Sequence, residues 1–97
     1  MKAIFIACNQ AFYDEIVETF DRLGIRGFTA WDPVTGRGSR SGEPHMGSHT
    51  WPTLNSSLLT IADDTAANRL LERLAALDAA TPQQGLRAFW WEIGGTI

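Results

Sequence analysis

The chain has 97 residues and 10.7 kDa, with 44% hydrophobic and 20% charged residues and a formal net charge of −3. That length suits one domain, 1–97, with one core. The negative balance argues against a general nucleic-acid binder, which needs a clustered basic surface, and no apolar run approaches the roughly 20 residues of a membrane helix. The single cysteine, Cys8, cannot form an internal disulfide and fits a reducing, cytoplasmic compartment.

Lys2 to Cys8 is a short apolar run rich in strand formers and bounded by Asn9. It reads as a buried first strand rather than a signal segment, because it is too short and runs directly into an acidic helix. Asn9 caps a helix starting near Ala11, in which Phe12, Ile16, Phe20 and Leu23 recur at spacings of four and three. Asp14, Glu15, Glu18 and Asp21 form its solvated face and carry no spacing of a catalytic pair. Gly24 is the expected stop. Gly27 to Asp32 is a second strand, with Phe28 and Ala30 on one face and Thr29 and Trp31 on the other; Pro33 weakens pairing there. Thr53 to Ile61 is a third strand. Asp63 or Asp64 caps a second helix with a buried stripe of Ala67, Leu70, Leu71, Leu74 and Leu77, ended by Pro82 and Gly85. Leu86 to Ile93 is the last strand.

The order βαββαβ predicts an α+β, ferredoxin-like sandwich: a four-stranded antiparallel sheet with two helices on one face. Both faces of strands one and four are apolar, Ala3, Phe5 and Ala7 against Ile4, Ile6 and Cys8, and Ala88 and Trp90 against Phe89, Trp91 and Ile93. Monomers seldom expose so large an apolar patch, so a homo-oligomer is expected to cover the open face.

A long loop, 33–52, separates strands two and three. Thr35 to Pro52 holds both histidines of the chain, two arginines and four glycines, and loops beyond about 12–15 residues in compact domains are usually functional or disordered. His45 and His49, with Glu43 and Met46 beside them, offer ligand types that suit zinc, copper or nickel. Two histidines make only a partial site, which Cys8 or another subunit would have to complete. The plainer alternative is two surface histidines in a solvent-exposed loop. Cys8 itself reads as a small buried hydrophobe. Trp31 and Trp51 flank the loop and could pair across a hairpin, or Trp51 could wall an inter-subunit cleft.

Gly24-Ile25-Arg26-Gly27-Phe28-Thr29, followed by Gly36-Arg37-Gly38-Ser39-Arg40-Ser41-Gly42 and by Asp63-Asp64 at the start of the second helix, resembles the PII-like signalling protein superfamily. The first segment is similar to the family's G-[IV]-x-G-[MF]-T entry to strand two, and the second to the G-x-G-x-x-x-G opening of its T-loop. The resemblance spans residues 1–93. It implies a non-enzymatic regulatory homotrimer that binds a small effector in inter-subunit clefts and signals through the loop to a partner protein. Carried onto this chain, it places ligand or phosphate contacts at Gly36, Arg37, Gly38, Ser39 and Arg40. The family's glycine-rich phosphate loop before strand four is cut down to Thr81-Pro82-Gln83-Gln84-Gly85-Leu86-Arg87, and the arginines beyond strand four are absent. ATP or ADP held in the usual mode is therefore not expected. Two other functions fit the residues: a divalent-metal homeostasis protein using His45 and His49, and a small dimeric α+β barrel enzyme whose loop caps a pocket.

Overall fold

The computed structural model describes residues 1–38, 44–48 and 53–97. The elements follow the order β1 (Lys2–Asn9), α1 (Tyr13–Arg22), β2 (Phe28–Val34), β3 (Asn55–Ala62), α2 (Asp64–Ala80) and β4 (Arg87–Glu92). The four strands form an antiparallel sheet ordered β2-β3-β1-β4, the ferredoxin-like arrangement expected from the sequence. No described helix is long and apolar enough to cross a membrane.

The helix-side face of the sheet carries Ile4, Ile6, Cys8 and Leu58, all inaccessible to solvent, against Ile16 and Phe20 of α1 and Ala67, Leu70 and Leu74 of α2. The two predicted helical stripes thus supply the core, with Leu71 and Leu77 packed at its edge. Phe28 of β2 meets Phe20 with ring centroids 5.4 Å apart. Gly24, at φ +73°, stops α1 as the periodicity required. The turn is closed by the Ile25 amide donating to the Phe20 carbonyl at 2.8 Å.

Several boundaries differ from expectation, and three of the differences have a visible cause. Asn9 caps a single 3-10 turn, Gln10–Phe12, its side-chain oxygen accepting from the Ala11 amide at 2.9 Å, and the α-helix begins only at Tyr13. β2 runs on through Pro33 to Val34, but its register with β3 shifts between Trp31 and Val34, where proline has no amide hydrogen to contribute. β3 begins at Asn55 rather than Thr53, because the two preceding carbonyls are used elsewhere. Thr53 accepts from the Gly47 amide at 3.2 Å and Leu54 from the Gln10 amide at 3.0 Å.

Strand pairing fixes what lies on the open face. Ile61, Ala3 and Trp91 form one row across β3, β1 and β4; Leu59, Phe5 and Phe89 form the next. Phe89, Trp91 and Ile61 are 58%, 50% and 48% exposed, so a broad apolar surface stands uncovered. The third row, Ser57, Ala7 and Arg87, is polar, and the fourth pairs Asn55 with Asn9.

Candidate functional site

At those polar rows the open face runs into a cleft of about 810 Å³. Its floor is Ala7, Asn9, Asn55 and Ser57 from the sheet. One wall is the base of the long loop, Val34 to Gly38 with His45, and the other is the turn Pro82–Gly85 with Arg87. The apolar face and the cleft are therefore continuous, and any molecule covering the first borders the second.

His45 organises the loop base. Its backbone pairs with that of Gly36 in both directions, the Gly36 amide donating to the His45 carbonyl at 2.8 Å and the His45 amide to the Gly36 carbonyl at 2.6 Å. Its Nδ1 donates to the Asn55 side-chain oxygen, and its ring lies over Gly85. The residue is only 9% exposed. A solvent-exposed His45 is thus corrected: the imidazole is a buried strut between the loop, β3 and the turn before β4. Gly36 is needed for this closure, because a Cβ there would lie 2.5 Å from the Asn55 side-chain nitrogen. Gly47 is needed for a second closure, with φ +66° and a Cβ position 2.6 Å from Leu54 Cδ2. The described parts of the loop are consequently clasped twice, at Gly36–His45 and at Gly47–Thr53.

Of the residues singled out from sequence, Gly36, Arg37, Gly38 and His45 all line the cleft. Ser39, Arg40, Glu43, His49 and Trp51 lie outside the described residues. Among the described residues no group of three or more His, Cys, Asp or Glu side chains could hold a metal ion. Cys8 cannot join His45 in one, because it faces the core, where its thiol donates to the Ser56 carbonyl at 3.7 Å. Burial pushes that thiol up to about 11. The opposite number of Trp31 across the sheet is Ser57.

Asn9 and Asn55 went unnoticed in the sequence as cleft residues, and Gln84 and Arg87 stood there only as part of the shortened segment before strand four. Asn9 was visible only as a cap, yet its amide nitrogen also donates to Gln84 Oε1 at 2.8 Å, which ties the end of β1 to the turn before β4. Strand alternation puts Asn55 and Ser57 on one face with Ala7 and Asn9, and that parity could have found them. Among the described lining residues Arg37 and Arg87 are the charged side chains, and no carboxylate occurs. In a chain of net charge −3, this is a locally cationic concavity that suits an anion.

The family model for nitrogen regulatory protein P-II matches residues 1–92. The chain belongs to the P-II family. Among solved structures, it resembles a PII-like signalling protein of Thermus thermophilus at 29% identity and a TM-score of 0.68, over 95% of this chain and 85% of that one. It shares its fold with CPII of Thiomonas intermedia K12, a nitrogen regulatory PII-like protein solved with ADP, AMP and bicarbonate, at 19% identity and a TM-score of 0.77, over 95% and 84%. The apo form of CPII matches at 16% identity and a TM-score of 0.67, over 95% and 87%. No match was found among curated proteins. In this P-II chain the segment before β4 is a compact turn, Pro82–Gln84 closed by Gly85 at φ +77°.

Proposed function

We propose that this P-II family member is a non-enzymatic regulator that works as a homotrimer. A small anionic effector occupies the cleft at the loop base, where subunits meet, and residues 35–52 carry the signal to a partner protein. The observation that carries this reading is the continuity of the uncovered apolar face with a cleft that holds Arg37, Arg87 and the glycines Gly36 and Gly38 but no described carboxylate. Backbone amides beside glycine approach an anion closely, and guanidinium groups add charge-assisted hydrogen bonds. That CPII was solved with ADP, AMP and bicarbonate makes these three the first probes. Because the turn 81–87 is short, a bound nucleotide would rest on Gly36 to Gly38 and the two arginines rather than on a long phosphate loop. The test is calorimetric titration of the intact protein with ADP, AMP and bicarbonate, singly and combined. At least one should bind, and Arg37→Ala should weaken it roughly tenfold or more. Absence of heat with all three, or equal affinity in the variant, would contradict the assignment.

A further inference from the structure

Arg87 sits opposite Ala7 on the open side of the sheet, yet its guanidinium does not extend only into the cleft. β4 is an edge strand, and the side chain reaches round it, so that Nη1 lies 3.8 Å from Asp78 Oδ1 in the helix layer and donates to the Leu86 carbonyl at 2.8 Å. Asp78 is poorly placed on its own account. It lies in the last turn of α2, which contains no basic residue, at the end of the helix where a negative charge is disfavoured. Its Oδ1 is buried and accepts no hydrogen bond from the described residues, which is costly for a carboxylate. Its compensating partner among the described residues is Arg87, held at ion-pair distance without a hydrogen bond. We propose that Asp78 is a restraining residue that competes with the effector for Arg87 and so sets the concentration at which the cleft fills.

This rests on the cleft being an anion site, and it adds a residue outside the cleft that tunes it. An anion that recruits Arg87 must draw the guanidinium from Asp78 and leave that carboxylate without its cation. The coupling is that of a partly exposed ion pair, since the two side chains, Arg87 and Asp78, are 50% and 37% exposed, and such pairs are weak and screened by salt.

The experiment titrates wild type, Asp78→Asn, Asp78→Ser, Arg87→Gln and the double variant Asp78→Asn/Arg87→Gln with ADP, AMP, bicarbonate and inorganic phosphate, at low and high salt. Both Asp78 variants should bind the wild-type ligand about two- to fivefold more tightly at low salt, with the gain shrinking at high salt. Arg87→Gln should bind more weakly, and adding Asp78→Asn to it should restore nothing. Unchanged or weaker binding by both Asp78 variants overturns the proposal alone. So does a gain that persists without Arg87, because Asp78 would then act only through its general charge. Failure of every protein to bind any of the four probes overturns the anion cleft and this proposal together.

Discussion

His45 carries the largest share of the loop base, since its backbone and its ring each close a different contact. Replacing it with alanine leaves the Gly36 pairing without the Asn55 anchor. The expected result is faster amide exchange at Gly36 and His45 and a stability loss of about 1–2 kcal/mol in urea unfolding. Gly47→Ala combines a left-handed backbone angle with a collision on Leu54, and should destabilise by about 1–3 kcal/mol in the same measurement. Cys8 yields a pH prediction. Its folded pKa is raised from 9.0 to about 11, so the unfolded chain loses this proton first as pH rises. The stability linked to the buried thiol is fully present below pH 9 and is lost between 9 and about 11; Cys8→Ser should flatten that part of the curve of stability against pH. At this scale the sequence was legible in part. A glycine pair flanking an arginine pointed to the cleft, and an apolar run pointed to a buried Cys8. The burial of His45 was not readable, because it depends on Asn55 and Gly85, which lie 10 and 40 positions away.

Among the elements, α2 shows how local signals and tertiary contacts divide the work. Asp63 is its cap, Oδ1 accepting from the Ala66 amide at 2.8 Å, and Asp63→Ala should cost about 0.5–2 kcal/mol. Asp64 does something else: it accepts from the N-terminal ammonium at 2.8 Å and from Lys2 at 3.1 Å, with Glu92 pairing both cations. These contacts tie α2, β1 and β4 together at the end of the sheet opposite the cleft. The hydrogen bond from the N-terminus holds the Asp64 carboxyl below its usual range, so its contribution is present above about pH 4 and is lost on acidification. The strands and helices were legible because hydrophobic periodicity and caps agree in each of them. Their ends were less so, because Thr53 and Leu54 are recruited by Gly47 and Gln10 rather than by the neighbouring strand. No sequence pattern announces that choice.

For the molecule as a whole, the apolar face and the cleft make one surface, and the central claim is that copies of the chain meet there. Phe89 and Trp91 stand half or more exposed beside Phe5 and Ala3 on the sheet's open side, an arrangement that favours burial against another copy. The expectation of an uncovered apolar face came from the sequence, because alternating positions in β1 and β4 are apolar on both sides. Its junction with the cleft did not, since it depends on which strands are neighbours. Native mass spectrometry of wild type and Trp91→Glu, with and without ADP, AMP and bicarbonate, tests the claim most directly. Wild type should have about three times the 10.7 kDa chain mass and bind up to one effector per chain. Trp91→Glu should fall to monomer and lose the effector with the assembly. A wild-type protein that is monomeric at micromolar concentration, or a dimer, would contradict the account.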